Sequence, residues 1–163
     1  MNAFRVGFGH DRHPFSKPGH GPLALGCVNV DFNRRLLGHS DGDAVAHCIA
    51  DALLSAAGLP DLGTTFPETC DATTGISGCE ILKWTGRLVR DAGWIVGNID
   101  CVVVCDSPRL GHLVPAMCQA AAGALGIGAD QISIKPRHAE GLGFAGRGLG
   151  IESSAVVLIH RPQ

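Results

Sequence analysis

The alternation of apolar and polar positions marks out the elements. Phe4-Arg5-Val6-Gly7-Phe8-Gly9 alternates strictly and predicts a strand, and the polar, Gly/Pro-bearing stretch 10–20 predicts a loop after it. Segments 23–26 and 27–30 read as short strands of a hairpin. Ser40 is placed to cap a helix whose first turn holds Asp41 and Asp43, with Val45, Ile49, Leu53 and Ala56 at helical spacing and Gly58 as its stop. Residues 59–78 carry Gly, Thr, Pro and Ser without a period, which predicts a long loop of the kind that serves as a lid or clamp. Ile81, Leu82, Leu88 and Val89 share one broad face of a second helix over 80–92. A β-branched strand over 94–105, an Ala-rich helix over 112–125, a strand over 132–135, a glycine-rich connection over 141–150 and a strand over 151–160 complete the pattern. Strands and helices interleave with no linker or repeat, so the expectation is one α/β (α+β) domain over residues 1–163.

Composition narrows the function classes. Hydrophobic residues make up 45% of the 163, enough for a core that needs neither disulfide nor metal to fold. The 13 basic and 15 acidic side chains leave a net charge of −2, which is no footprint for nucleic acid or an anionic membrane. Charged residues are only 17%, and a surface so poor in charge predicts an oligomer. No apolar run reaches the ~18 residues of a membrane span. The seven cysteines are odd in number, form no C-x-x-C and follow no apolar leader, so they read as reduced, mostly buried thiols of a cytoplasmic protein.

Charge distribution says more than the total. No basic residue lies between Arg35 and Lys83, while Asp41, Asp43, Asp51, Asp61, Glu68, Asp71 and Glu80 do, with His39 and His47. Asp43, His47 and Asp51 are four residues apart in turn and share one helix face, read either as a solvated acidic face or as carboxylates gathered around a cation. In an extended segment Asp11 and His13 point the same way, and with His47 they form a ligand set for zinc or another first-row divalent metal, leaving a fourth position open as catalytic sites do. His10 lies in the same stretch, so spacing alone does not select His13.

Residues 140–148, Glu-Gly-Leu-Gly-Phe-Ala-Gly-Arg-Gly, read either as a bulged β-turn or as a backbone cradle for an anion. They are neither a P-loop nor a dinucleotide fingerprint. With Lys135, Arg137 and Arg147 nearby, they fit a metal-bridged polyphosphate, Glu140 on the metal and the bases on oxygens.

These segments together resemble the 2-C-methyl-D-erythritol 2,4-cyclodiphosphate synthase family over essentially the whole chain. The resemblance is carried by Arg5-Val6-Gly7-Phe8-Gly9-His10-Asp11-Arg12-His13-Pro14-Phe15, by His39-Ser40-Asp41-Gly42-Asp43-Ala44-Val45-Ala46-His47 and by Asp51-Ala52-Leu53-Leu54. Asp61-Leu62-Gly63, Phe66-Pro67, Gly97-Asn98-Ile99-Asp100, Pro108-Arg109-Leu110, Leu142-Gly143-Phe144-Ala145-Gly146-Arg147 and Gly150-Ile151 follow in order. It implies a mixed four-stranded sheet packed on one side by helices, and a homotrimer around a sheet-lined cavity with active sites between neighbours. It implies zinc on Asp11, His13 and His47, and a second divalent ion, Mg2+ or Mn2+, on Glu140 and the substrate diphosphate. The substrate is then 4-diphosphocytidyl-2-C-methyl-D-erythritol 2-phosphate, cyclised with release of CMP in the non-mevalonate isoprenoid pathway. Catalytic roles fall to His39, His138 and Glu140. Substrate contacts fall to Asp11, His13, His39, Ser40, Asp61 and Gly63, to Cys105, Pro108, Arg109, Leu110 and Gly111 for the cytidine, and to Arg137, His138, Phe144 and Arg147.

The chain departs from the family pattern in places. Pro136-Arg137-His138-Ala139 replaces a threonine-rich run, Arg109 stands for lysine, and His112 stands where proline is frequent. Glu68-Thr69-Cys70-Asp71 replaces Asp-Thr-Asp-Pro, and Leu149 replaces a glutamate, so an anion or isoprenoid diphosphate is expected beside Arg147 in the trimer cavity. The alternatives to the synthase are a non-catalytic trimer of the same fold binding a nucleotide or isoprenoid diphosphate, and a zinc phosphoesterase.

Overall fold

The computed structural model describes residues 3–67 and 74–162. The departure at Glu68-Thr69-Cys70-Asp71 lies outside the described residues. The elements run β1 (Phe4–Pro14), β2 (Leu23–Leu25), β3 (Val28–Val30), α1 (Ala44–Ala57), α2 (Leu62–Thr65), α3 (Gly78–Asp91), β4 (Ile95–Val104), α4 (Val114–Leu125), β5 (Ile132–Arg137), α5 (Gly143–Gly146) and β6 (Gly150–His160). A mixed sheet orders its strands β1-β6-β4-β5, with β4 and β5 parallel and the other pairs antiparallel; β2 and β3 form a separate hairpin. The expected α/β domain with a mixed four-stranded sheet is present.

The helices cover one face only. Twelve of the fourteen residues of α1 are buried, and its Ala-rich sequence lets it lie on β1 and β6 with α3 against its other side. The close approach depends on glycine: a Cβ at Gly7 would stand 2.0 Å from the Ala52 carbonyl oxygen, and one at Gly9 2.1 Å from that of Cys48. The other sheet face is bare, with Phe4, Val6, Phe8 and Val156 exposed on it at 61%, 67%, 60% and 47%. Those side chains occupy the even positions of β1 and β6, and the odd positions face the helices.

Several boundaries differ from the sequence reading. β1 does not stop at Gly9 but pairs with β6 without a break as far as Pro14 opposite Gly150, so residues 10–14 are strand rather than loop. Local composition there is polar because Asp11 and His13 face the cleft on one side while His10 and Arg12 are exposed on the other. Helix α1 starts three residues later than predicted: Asp43, not Ser40, is the N-cap, its carboxylate accepting the Ala46 amide. The same carboxylate accepts the amides of Gly26 and Cys27 at 2.7 Å each, tying the β2–β3 turn to the helix. Its complete burial pushes the Asp43 carboxyl upward, against those amide donors. Ser77 caps α3, which starts at Gly78 rather than residue 80. Within 59–78, Asp61 caps the single turn α2, and 141–150 contains the single turn α5 rather than a bulged β-turn. Before α4, a 3-10 turn spans Gly111–Leu113.

Six free thiols occur among the described residues: Cys48, Cys101 and Cys105 are buried, and Cys27, Cys79 and Cys118 only half-buried. No helix among the described residues is long and apolar enough to cross a membrane.

Candidate active site

Asp11 and His13 occupy odd positions of β1, so both side chains stand on the helix side of the sheet, continuing the row of Gly7 and Gly9. Those glycines bring α1 onto the strand and carry its buried fourth residue, His47, to the same point. Asp11 Oδ2 lies 3.0 Å from His13 Nε2 and 3.0 Å from His47 Nδ1, and the two nitrogens are 3.3 Å apart. His10 is not part of the group; its Nδ1 pairs with Ser154 Oγ at 3.0 Å.

Outer partners fix the rings. His13 Nδ1 sits 2.8 Å from the Leu37 carbonyl, which can only accept, so Nδ1 carries the proton and Nε2 turns inward. His47 Nε2 meets Ser40 Oγ at 3.2 Å, with Asp41 Oδ1 at 3.9 Å. Ser40, expected to cap the helix, instead orients its histidine. In the neutral tautomer of His13, Nε2 and Asp11 Oδ2 present lone pairs to one point, an arrangement that a cation or proton must relieve. Burial opposes ionisation of Asp11, but hydrogen bonds and charge from His13 and His47 outweigh it and hold the carboxyl well below its ordinary range. Burial likewise opposes charge on His13, and Asp11 overrides it and raises the imidazole pKa.

The donor set fits a divalent ion. Ligands at about 2.0–2.1 Å in a tetrahedron stand about 3.3 Å from one another, close to the three separations here. Among the described residues, Asp11, His13 and His47 are the one group of His, Cys, Asp or Glu side chains whose atoms converge within 4.8 Å. Ser153, opposite Asp11 in the β1–β6 register, has a buried hydroxyl without a hydrogen-bond partner beside this end of the strand.

A cleft of about 180 Å³ opens over the group, lined also by His39, Ser40, Leu62, Gly63, Phe66, Ile76 and Ile81. His39 Nε2 lies 3.4 Å from Thr74 Oγ1. Asp61 and Asp51 line an adjoining hollow that shares Asp11, His47, Leu62 and Gly63 with this cleft. The acidic helix face predicted from Asp43 and Asp51 is not gathered around the metal group. Asp43 is occupied by amides, and Asp51 accepts the Leu62 amide at 3.2 Å.

A second cleft, of about 360 Å³, is lined by Cys105, Asp106, Pro108, Arg109, Leu110, Gly111, His112, Pro136, Arg137 and His138. It joins the predicted cytidine segment, Asp106 included, to the predicted phosphate residues, and it also contains His112 and Pro136, which the sequence does not assign to it. Glu140, Phe144 and Arg147 line neither cleft; Glu140 and Arg147 are exposed, and Arg147 Nε donates to the Gly143 carbonyl. The clefts share no residue. The strands that contribute to them, β1 and β5, are opposite edges of the sheet, with an ideal spacing of three strands, about 14 Å, between those strands.

Known proteins place this arrangement. The YgbB family pattern matches residues 4–160. The 2-C-methyl-D-erythritol 2,4-cyclodiphosphate synthase of Pelotomaculum thermopropionicum is 45% identical over 157 residues, 96% of each chain. That of Escherichia coli is 40% identical over 155 residues, 95% of this chain and 96% of its own. Among solved structures, the IspF of Plasmodium falciparum in complex with CDP superposes with a TM-score of 0.85 at 30% identity, covering 100% of this chain and 99% of its own. The bifunctional IspDF of Campylobacter jejuni superposes at 0.93 with 34% identity, and this chain spans 44% of its length. A match from the first residue of β1 to the last of β6, with Asp11, His13 and His47 inside it, makes this chain a member of the YgbB family.

Proposed function

We propose that the chain is a single-domain lyase converting 4-diphosphocytidyl-2-C-methyl-D-erythritol 2-phosphate to 2-C-methyl-D-erythritol 2,4-cyclodiphosphate with release of CMP. The observation that carries the reading is the convergence of Asp11, His13 and His47 in a chain matching such synthases over nearly its full length. An oxygen of the 2-phosphate forms a bond to the β-phosphorus, and the bond from that phosphorus to the bridging oxygen breaks, its electron pair leaving with CMP. Two anionic oxygens brought to 4 Å repel by about 4 kcal/mol at an effective dielectric near 20. The protein must offset that charge and hold one molecule bent.

Asp11, His13 and His47 are the residues to hold zinc. Glu140, one exposed carboxylate near Arg137 and His138 in sequence, suits an ion such as Mg2+ or Mn2+ that takes its remaining ligands from substrate phosphates. Bound there, the two ions supply positive charge at the phosphoryl oxygens. His39 and Ser40 contact the methylerythritol phosphate, and Asp61 and Gly63 its hydroxyls. Cys105, Pro108, Arg109, Leu110 and Gly111 take the cytidine. Arg137 and His138 neutralise diphosphate oxygens, His138 as catalytic group in place of a threonine, and Phe144 and Arg147 complete the surroundings.

The separation of the clefts supports a homotrimer in which the β5-edge cleft of one subunit faces the β1-edge cleft of its neighbour. The exposed apolar side chains of the bare sheet face support its lining a central cavity, where an anion or isoprenoid diphosphate would meet Arg147 near exposed Leu149. A cytoplasmic location agrees with the free thiols. The alternative of a non-catalytic trimer finds less support, because the cleft around Arg137 and His138 is formed despite the altered run. Phosphorus NMR tests the choice: the cyclic diphosphate and CMP are expected with zinc and magnesium and are expected to stop with chelator. Nucleotide binding without turnover would overturn the reading.

The shifted pKa values give a pH signature. His13 is raised above 6.5 when folded, so its stabilising pairing is complete below pH 6.5 and lost as pH rises through the folded value. Asp11 is depressed below 3.8, so its contribution holds above that pH and is lost only as pH falls through the lower folded value. The metal-free protein is therefore expected to melt at a higher temperature near pH 6 than near pH 8. Zinc must displace the His13 proton, so its affinity is expected to rise with pH and its binding to release a proton. Calorimetry in two buffers of different ionisation enthalpy measures that proton; pH-independent affinity would contradict it.

A further inference from the structure

Asp106 lies in the cytidine segment, between Cys105 and the residues 107–111 that line the cleft with it, and the cyclisation gives its carboxylate no task of its own. Its carboxylate makes three contacts, all to the segment after β5. Oδ1 accepts the Ala139 amide at 2.7 Å and faces His138 Nδ1 at 3.3 Å, and Oδ2 accepts the Gly141 amide at 3.1 Å. The two amides flank Glu140, whose φ of 54° is one of only two positive values at non-glycine positions among the described residues; Gly141 follows at 73°. A side chain in the left-handed region persists only where its surroundings determine it. Here the determinants are the carboxylate gripping the amide on either side and the Leu142 amide closing the turn on the Ala139 carbonyl at 2.9 Å.

Hydrogen bonds from amides to an ionised carboxylate are stronger than neutral ones. The Asp106 carboxyl is held below its ordinary range, chiefly by the Ala139 amide, against burial and with help from the Gly141 amide and His138. With Nδ1 facing the Asp106 carboxylate at 3.3 Å, His138 is left with Nε2 as its outward nitrogen. One side chain thus joins the wall of the β5-edge cleft to both acid and base of the following loop.

We propose that Asp106 is a positioning residue, setting the direction in which Glu140 and His138 meet the diphosphate through its grip on the amides around Glu140. This rests on the cyclodiphosphate reading for the roles of Glu140 and His138. The cleft wall and the ion-binding loop then move as one body, so seating the nucleotide aligns the metal-binding carboxylate. Asparagine cannot replace the aspartate, because its NH2 group would face an amide N–H. Glutamate is one methylene longer and would push the loop away.

The test compares wild type with Asp106→Asn and Asp106→Glu in three measurements: CDP affinity without divalent ion, Mn2+ affinity of the CDP complex by electron paramagnetic resonance, and kcat with KM. Loss of a partner that orients a ligand costs 10- to 100-fold in metal affinity or activity, so Asp106→Asn is expected to weaken Mn2+ binding about tenfold and lower kcat by a similar factor. CDP affinity without metal is expected to stay within about threefold, under 1 kcal/mol. His138→Gln is expected to lower kcat while Mn2+ affinity holds. Unchanged Mn2+ affinity in Asp106→Asn would overturn the proposal, and so would an equal loss of CDP and Mn2+ binding, which would make Asp106 part of the cleft wall only. A wild type that binds CDP and Mn2+ but forms no CMP would count against the cyclase reading and leave the Mn2+ comparison as the test of Asp106.

Discussion

His47→Ala is expected to strip the protein of zinc and reduce CMP release at least about 10³-fold, the equivalent of several kcal/mol of charge stabilisation. Of the three candidate ligands it alone is nearly buried, at 4% exposure, and it is the one that ties α1 to the strand carrying the other two. Its removal leaves Asp11 and His13 as a two-atom site. The fold should survive, since Ala is the best helix former and the lost ring faces a cleft rather than the core. The measurements are zinc per chain after dialysis, CMP release and the melting temperature. His10→Ala is the control: it touches Ser154, and zinc content should stay near one per chain. A His47→Ala protein that turns over at the wild-type rate without metal would remove the basis of the proposed function.

Gly9→Val should be the most damaging single change away from the chemistry. The new Cβ would fall 2.1 Å from the Cys48 carbonyl oxygen and 2.6 Å from the Ala52 nitrogen, both helix backbone, which no rotamer can avoid. Helix α1 must lift from the sheet, with a cost above about 4 kcal/mol, in the tail of single-substitution effects. His47 sits next to the clashing residue, so the metal group should open even in any fraction that folds. Insoluble expression, or soluble protein with a much lowered melting temperature and no zinc, is expected. Gly123→Ala provides the contrast: the position is inside α4 with nothing within 4 Å, and a gain of about 0.5–1 kcal/mol is expected. Wild-type melting and zinc content in Gly9→Val would refute the packing argument.

The candidate triad is legible in part from local rules, and the choice of His13 over His10 comes from the family resemblance. A period of two puts Asp11 and His13 on one side of a strand, and the helical pattern from Val45 places His47 on a helix. The start of that helix is not legible because Ser40 and Asp43 are both good caps, and the amides of Gly26 and Cys27, distant in sequence, decide between them. Those donors also take Asp43 out of the expected acidic face, as the Leu62 amide takes Asp51. The division into two clefts was not legible as geometry. It depends on strand order, which places β6 between β1 and β4 and sends the first strand and β5 to opposite edges. The sequence places Asp106 only within the cytidine segment 105–111 that the resemblance implies; its grip on the later loop is not legible, because its partners are 33 and 35 residues later and an aspartate before Ser-Pro reads as a turn residue.

The strict alternation along β1 also bears on how this sequence can vary over generations. Odd positions carry the two glycines under α1 and then Asp11 and His13, while even positions carry the bare face. A substitution alters one of these sets at one place. An insertion or deletion of one codon between Phe4 and Asp11 shifts everything beyond it out of phase with β6, presenting His10 and Arg12, or residues from the other parity, where the ligands belong. Drift in this strand is thereby restricted to replacements that keep its length, and gains or losses of residues are channelled to the turns, where no phase is at stake.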